Sequence, residues 1–200
     1  MSTGFFLFKE NINFDSKTGI MKKLKNSQLE RKTIDEFKQS KKLPIVIVLD
    51  NIRSLNNIGS VFRSSDAFLI KKIFLCGITA TPPHRDIHKT ALGATDSVEW
   101  EYFEHTDEAI KKLKRDDYTI ISIEQADQSV KLPDFKPAKF GRYALVFGHE
   151  VKGVQQEIVS MSDICLEIPQ YGTKHSFNIS VSAGIILYHF YYHFSDDYFL

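Results

Sequence analysis

The stretch PIVIVLDNIRSLNNIGSVFRSSDAF, from Pro44 to Phe68, holds the features that decide the fold. It opens with an apolar run rich in β-branched residues, which is typical of a strand buried on both faces of a parallel sheet. A polar loop follows, and from about residue 58 the apolar residues recur with the spacing of a helix. Ligands of α/β proteins bind at the carboxyl ends of such strands. The loop offers two adjacent asparagines, a single glycine and an arginine, and therefore lacks a glycine-rich phosphate-binding turn.

The alternation of strand and helix continues along the chain. Runs rich in β-forming residues cover 45–49, 72–77, 97–103, 119–124, 144–148 and 164–169. Helical patterns cover 58–70, 105–117, 154–163 and 177–194. This order predicts an α/β fold with a mostly parallel sheet and helices on both faces. Residues 1–40 are predicted to be a partly helical or flexible extension, and residues 41–200 the main domain.

Composition limits the classes of protein to consider. The chain has 200 residues, of which 42% are hydrophobic, and this is enough for one domain with a sizeable core. Its formal net charge is only +1, so nucleic-acid binding would need a local basic patch. Two cysteines form no disulfide framework, and we expect a reducing cytoplasm. No apolar run reaches the roughly 18 residues of a membrane span, and the first residues do not match a signal peptide.

Three polar segments follow or end predicted strands: residues 49–68, 144–154 and 167–190. Each has a plain structural explanation, since Asn57 or Ser176 could cap a helix and the turn at Gly148–Gly153 could simply connect a strand to a helix. Asn57 and Arg63 lie about one and a half turns apart on the predicted helix. We therefore expect both to face the same strand end.

Taken together, the three segments resemble motifs 1, 2 and 3 of the SpoU (TrmH-like) branch of the SPOUT RNA methyltransferases. The agreement in order and spacing runs from about residue 44 to 190, and it includes the similar segment KTALGATDSVEW at 89–100. The matching residues are Asn57, Gly59 and Arg63 in motif 1; Gly148, Glu150 and Gly153 in motif 2; and Ile168, Pro169, Gly172, Ser176, Phe177 and Asn178 in motif 3. One residue departs from the pattern, because the usual leucine of S-L-N is Phe177. Phenylalanine is still apolar, so we expect cofactor binding to survive with an altered pocket.

The resemblance implies a deep trefoil knot at the C-terminal end of the domain, against the general rule that connections do not thread loops. It also implies S-adenosylmethionine as the cofactor, held largely by backbone groups of the knotted loops. Glycines at 148 and 172 fit such a site because the backbone must approach the ligand closely. The implied cofactor-binding residues are Ile123, Phe147, Gly148, His149, Gly153, Ile168, Pro169, Gly172, Ser176 and Phe177.

The implied reaction is methyl transfer to a ribose 2′-hydroxyl of tRNA or rRNA. Arginine remains protonated, which makes Arg63 a poor general base and favours it as a phosphate clamp and stabiliser of the developing alkoxide. Asn57, Ser176 and Asn178 would orient Arg63 and the ribose. Glu150 would fix the motif 2 loop or pair with Arg63. The sulfonium of the cofactor carries its own positive charge, so we expect no metal.

The run VSAGIILYHFYYHF, residues 181–194, is apolar on nearly every side, and one sheet can cover only one face of a helix. Tyrosine suits an interface because it buries a ring and keeps a hydroxyl for a partner. The resembled family is dimeric through this helix, and we expect a homodimer. The alternative is a helix in the centre of a monomer's core.

Other functions stay open at this point. The main alternative is a knotted RNA-binding protein without catalytic activity; methylation of a base is another, although it would not need this motif 1. His84 and His88 have the spacing of zinc ligands on a helix, but no acidic or cysteine ligand has an obvious spacing. We interpret that segment as a loop near RNA or cofactor, and the KKLKR run at 111–115 as a solvated helix face.

Overall fold

Strand β1, Leu43–Asp50, shows how the sequence forms the core. Ile47 and Leu49 belong to the buried cluster on one face of the sheet, and Val46 and Val48 belong to the cluster on the other. Because every residue from 45 to 50 is buried, this strand requires helices on both faces.

The structure, a computed structural model, describes residues 22–29 and 31–198. Besides β1, the strands are β2 Ile70–Cys76, β3 Glu99–Phe103, β4 Thr119–Ile123, β5 Val130–Lys131, β6 Tyr143–Phe147 and β7 Ile164–Glu167. The helices are α1 Ile34–Gln39, α2 Leu55–Ala67, α3 Arg85–Ala91, α4 Ala94–Ser97, α5 Thr106–Arg115, α6 Gln156–Met161 and α7 Ile179–Tyr198. Short 3₁₀ turns cover Asn26–Gln28 and Leu132–Asp134.

All the described strands join one parallel sheet in the order β3-β2-β1-β6-β4-β7-β5. Residues of α2 and α7 pack on one face, and residues of α5 and α6 pack on the other. The predicted α/β fold with helices on both faces is therefore confirmed. The trefoil knot stays a prediction.

The chain divides into two compact units between Arg31 and Lys32. The second unit includes α1, whose Phe37 is buried and whose first turn is closed by a capping box between Thr33 and Glu36. The domain boundary predicted at residue 41 falls between α1 and β1. Residues 1–21 of the predicted extension lie outside the described residues.

Several local predictions were wrong. The segment at 84–88 is not a loop: α3 begins at Arg85, and His84 caps it by accepting a hydrogen bond from the backbone N–H of Asp86. Helix α2 begins at Leu55, earlier than predicted, and its cap is Ser54 rather than Asn57. Strand β5 was missed because two residues are too few to produce a recognisable pattern.

Helix α3 packs directly against α2 at a glycine of motif 1. A Cβ atom added at Gly59 would lie 2.1 Å from Thr90 Oγ1 and 2.3 Å from the Ile87 carbonyl oxygen. Thr90 Oγ1 also donates a 3.1 Å hydrogen bond to the carbonyl of Asn56. The glycine of motif 1 is thus required by helix packing.

Helix α7 has two different faces. Its core face is fully or almost fully buried and consists of Ile179, Ala183, Ile186, Leu187, Phe190 and Phe194. Val181, Tyr188 and Tyr192 are 48%, 58% and 65% exposed and form what we call the α7 stripe. The helix is therefore not central to a core formed by the described residues, because those residues leave an apolar stripe of it exposed.

Both cysteines are free. Cys76 is buried at the end of β2, and Cys165 is half-buried in β7. No described helix is long and apolar enough to cross a membrane.

Candidate active site at the carboxyl ends of the strands

A cavity of about 870 Å³ lies where the neighbouring strands β4, β6 and β7 end. Three segments form most of its lining: 123–127 from the end of β4, 147–154 from the end of β6, and a set of residues between 167 and 182; Gln156 and Val159 of α6 complete it. Parallel strands bring these segments together because their carboxyl ends share one edge of the sheet. The lining includes these predicted site residues: Ile123, Phe147, Gly148, His149, Glu150, Gly153, Ile168, Ser176, Phe177 and Asn178.

Four predicted residues lie outside this lining: Asn57, Arg63, Pro169 and Gly172. Asn57 is nevertheless connected to it through Glu150 and Asn178. At Gly172, an added Cβ would meet no protein atom within 4 Å, so packing within this chain does not require a glycine there.

The motif 2 loop closes on itself at its two glycines. A Cβ added at Gly148 would lie 2.1 Å from the carbonyl carbon of Gly153 and from the backbone nitrogen of Val154. Gly153 has a φ of +69°, and a Cβ there would lie 2.1 Å from Glu124 Oε2. The two glycines therefore allow close backbone packing and a left-handed turn, in addition to any approach to a ligand.

Two carboxylates from the ends of β1 and β4, the strands on either side of β6, hold this loop. Asp50, fully buried at the end of β1, accepts hydrogen bonds from the backbone N–H of Gln155 at 3.0 Å and from its side-chain amide at 2.7 Å. Glu124, just after β4, accepts a 3.0 Å bond from the backbone N–H of Val154. Asp50 also accepts a 2.6 Å bond from the Thr106 hydroxyl. These carboxylates fix the end of the motif 2 loop against the sheet.

Glu150 connects motif 2 to motif 1. Its carboxylate accepts bonds from the backbone N–H groups of Arg53 at 3.1 Å and Ser54 at 2.9 Å, and from the Asn57 amide at 3.2 Å. Partial burial alone would raise the pKa of Glu150. Hydrogen bonds from the backbone N–H groups of Ser54, Glu150 and Arg53 and from the side-chain amide of Asn57 outweigh burial, and they lower the pKa below its usual value of 4.5. The carboxylate is consequently ionised at neutral pH.

Asn57 and Asn178 complete the connection to motif 3. Asn178 Nδ2 donates a 3.2 Å hydrogen bond to Asn57 Oδ1. Asn178 Oδ1 accepts bonds from the backbone N–H and hydroxyl of Ser180, at 2.8 and 2.6 Å, and so caps the start of α7. The capping role considered for Ser176 is therefore performed by Asn178, and Ser176 lines the cavity instead.

Arg63 does not share the orientation of Asn57. Six residues of an α-helix turn the chain by about 600°, so the two side chains point roughly 120° apart. The Asn57 side chain is buried and donates a hydrogen bond to Glu150, whereas the Arg63 side chain is exposed on α2. The expectation that both face the same strand end was wrong, and no Glu150–Arg63 ion pair forms among the described residues.

The sequence patterns did not identify Asp50, Glu124 or Gln125 as site residues. Gln125 Nε2 donates a 2.9 Å bond to the carbonyl of His175 and thereby joins the β4 loop to the motif 3 loop. The only available signal was position, since Asp50 and Glu124 are the first polar side chains after apolar strands.

Within residues 22–29 and 31–198, no group of three or more His, Cys, Asp or Glu side chains could hold a metal ion.

The chain belongs to the SpoU rRNA Methylase family, whose model matches residues 44–188. It is 29% identical over 161 residues to a tRNA (guanosine(18)-2′-O)-methyltransferase of Aquifex aeolicus, covering 78% of this chain and 73% of that protein. It is 27% identical over 148 residues to the 23S rRNA (guanosine-2′-O-)-methyltransferase RlmB of Neisseria meningitidis, covering 72% of this chain and 56% of that protein.

A similar fold occurs in a solved structure, the AdoMet-bound rRNA methyltransferase from Sinorhizobium meliloti. The TM-score is 0.71 at 23% sequence identity, over 80% of this chain and 59% of that one. At this identity the likeness concerns the fold.

Proposed function

We propose that this protein transfers the methyl group of S-adenosylmethionine to a ribose 2′-hydroxyl of RNA. The observation that carries the proposal is the series of hydrogen bonds from Asn178 through Asn57 to Glu150. It joins one residue from each motif beside the cavity at the strand ends. The names of the Aquifex and Neisseria relatives support the same chemistry.

The cavity fits the cofactor in size and in charge. Its volume of about 870 Å³ lies within the roughly 300–1,000 Å³ usual for ligand pockets. Glu124, Asp127 and Glu167 line it, and such carboxylates suit a cationic sulfonium better than a polyphosphate. Ile168 and Phe177 offer apolar contact to an adenine ring. When bound, the cofactor would supply an electrophilic methyl group.

The residues of the chain would position the acceptor. Glu150 is ionised and bonded to the loop before α2 and to Asn57, so its role is to hold that loop and the start of α2 in place. The guanidinium of Arg63 would clamp the phosphate beside the target ribose and stabilise its developing alkoxide. Ser176, on the cavity wall, would hydrogen-bond the ribose.

We expect that a homodimer would bring Arg63 close to the target ribose and its phosphate. Arg63 is exposed and does not line the cavity of its own chain. Its helix α2 borders α7, since the Phe68 ring lies 6.4 Å from that of Tyr188 and 5.5 Å from that of Tyr191. A second copy seated on the α7 stripe would therefore also approach the helix that carries Arg63. The dimer would cover an apolar face that this chain leaves exposed.

The relatives named above act on tRNA or on rRNA, so both RNA classes belong in the test. The purified protein is incubated with methyl-labelled S-adenosylmethionine and unmodified tRNA or 23S rRNA transcripts. We expect label in dinucleotides that resist alkaline hydrolysis, because a 2′-O-methyl group blocks cleavage. RNA binding without label would instead support the non-catalytic knotted RNA-binding protein, and label on a base would support base methylation. The cytoplasmic location stays a prediction.

A further inference from the structure

A second cavity, of about 500 Å³, lies apart from the candidate active site. Its lining contains Trp100 on β3, Pro82 and Pro83 before α3, and polar side chains from α3 and α4. None of these residues lines the first cavity. Trp100 is the single tryptophan of the chain and is only partly buried. The cavity therefore presents an aromatic surface for which the proposed methyl transfer has no use.

Charged groups of both signs surround this aromatic surface. Arg85 and Asp96 are exposed side chains on the lining. Among the described contacts, neither side chain makes a hydrogen bond or an ion pair within the chain. A cation, a carboxylate and an indole are thus available to a ligand at one place.

We propose that this cavity binds one unpaired nucleotide of the RNA substrate, with its base stacked on Trp100. Stacking on an aromatic side chain is the usual way in which proteins hold unpaired bases. Arg85 would contact the phosphate, because guanidinium groups match phosphate oxygens. The proposal rests on the proposed function only in taking RNA as the substrate.

The carboxylate of Asp96 selects the base. Guanine presents two adjacent N–H donors on its Watson–Crick edge, and a carboxylate can accept both. Uracil presents one N–H between two carbonyl oxygens, which the carboxylate would repel. We therefore assign a preference for guanine to this cavity.

The position of the cavity suits a nucleotide that flanks the target. Helix α3 contributes to the cavity and also packs on α2 at Gly59, two residues along the helix from Asn57 of the candidate active site. Strand β3, which carries Trp100, lies three strands from β6 in the sheet, and neighbouring strands are about 4.8 Å apart, so the two cavities are separated by roughly 15 Å or more. A short single strand can span that distance, so one RNA could occupy both sites at once.

The fluorescence of the protein tests this directly, because Trp100 is the only indole. The purified chain is titrated without cofactor with the pentaribonucleotides UUGUU and UUUUU, with excitation selective for tryptophan. We expect UUGUU to quench the emission and to bind at least fivefold more tightly than UUUUU. Fluorescence anisotropy of end-labelled RNA measures total binding in parallel.

Three variants separate the contributions. Asp96→Asn should bring the two affinities together, because an amide presents a donor to guanine's donors. Arg85→Ala should weaken both RNAs about equally and reduce the salt dependence of binding. Arg115→Ala, an exposed arginine on α5 at the other face of the sheet, should leave both affinities unchanged.

Binding of UUGUU with no change in Trp100 emission would overturn the proposal, as would equal affinities for the two RNAs or no binding. These outcomes are independent of catalysis. Quenching in a protein that transfers no methyl group would contradict the proposed function alone. Methyl transfer without quenching would contradict this inference alone.

Discussion

Asn178 donates a hydrogen bond of 3.2 Å to Asn57, although 121 positions separate them in the chain. Asn57 in turn donates to Glu150, so the start of α7, the start of α2 and the motif 2 loop share one polar connection. Each partner in this connection has a second fixed hydrogen bond, which restricts its rotation. The three motifs are therefore held together by hydrogen bonds between groups of the chain itself.

Arg63→Ala should lower the rate of methyl transfer by about a hundredfold or more, the scale expected for loss of one charge-stabilising donor. The affinity for S-adenosylmethionine should hardly change, since Arg63 does not line the cavity. Single-turnover kinetics and calorimetric titration measure the two effects. Arg115→Ala serves as the matched control, and full activity of Arg63→Ala would refute the assignment.

Phe177→Ala should weaken S-adenosylmethionine binding by roughly 1–3 kcal/mol, because apolar contact area on the cavity wall is lost. Tyr171 is the control on the same loop: it is 94% exposed and does not line the cavity. Calorimetry on both alanine variants decides the matter. Unchanged affinity in Phe177→Ala would mean that the ring makes no contact with the cofactor.

Asp50→Asn should destabilise the protein by about 1–3 kcal/mol, because an amide N–H₂ would face a buried donor that the carboxylate now satisfies. The hydrogen bonds to Gln155 would weaken most, so cofactor affinity should fall as well. Urea unfolding and calorimetry report the two changes. Asp116→Asn, at an exposed position, should stay within about 0.5 kcal/mol of the original protein; an equal loss there would contradict the role given to Asp50.

Acidification should weaken the connection at Glu150. The pKa of its carboxyl is lowered in the folded protein, so the unfolded chain binds the proton more tightly. The stabilisation is present above the ordinary value of 4.5 and is lost as the pH falls through the folded value. Urea midpoints are measured as the pH is lowered from above 4.5 to below it. They should fall less steeply with pH for Glu150→Gln than for the original protein. Identical slopes would show that the hydrogen bonds do not persist in solution.

A homodimer through the α7 stripe should appear in light scattering as about twice the 23.0 kDa of one chain. Tyr188→Asp should yield monomers that remain folded, because the side chain is 58% exposed in one chain and a buried charge would be costly only in the dimer. Tyr171→Asp, on an exposed loop away from α7, should stay dimeric. A monomer mass for the original protein would disprove the interface.

Much of the fold could be predicted because apolar strands end abruptly in polar residues, as at Asp50. Strand β1 is apolar on both faces, and together with the alternation of strands and helices this property indicates a parallel sheet covered on both sides. Helix α3 could not be predicted in the same way, because its short amphipathic turn follows two prolines. Besides the cap at His84, it is stabilised by tertiary packing on Gly59, which the local sequence does not reveal.

The candidate site was predicted less completely. The three motifs can be recognised in the sequence by their glycines and polar residues. Ten of the site residues predicted from them line the cavity. The hydrogen bonds of Asp50 and Glu124 to the motif 2 loop depend on the order of strands in the sheet, which no local pattern encodes. The orientation of the Arg63 side chain was predicted wrongly. Two side chains that are six residues apart on an α-helix lie on different sides of it, so Arg63 does not face the same way as Asn57.

The two native thiols would compete little with a cysteine that is introduced at a chosen position for labelling. Burial, with the neighbouring Asp50 charge, raises the pKa of Cys76 to about 12, and burial also raises the pKa of Cys165. Both thiols therefore stay protonated at neutral pH and react more slowly with thiol reagents than an exposed cysteine. Val151, 83% exposed at the tip of the motif 2 loop, can be replaced by a cysteine without disturbing the backbone hydrogen bonds that hold the loop. A spectroscopic label attached there would report the binding of a ligand in the cavity, which Val151 lines, in the otherwise unmodified protein.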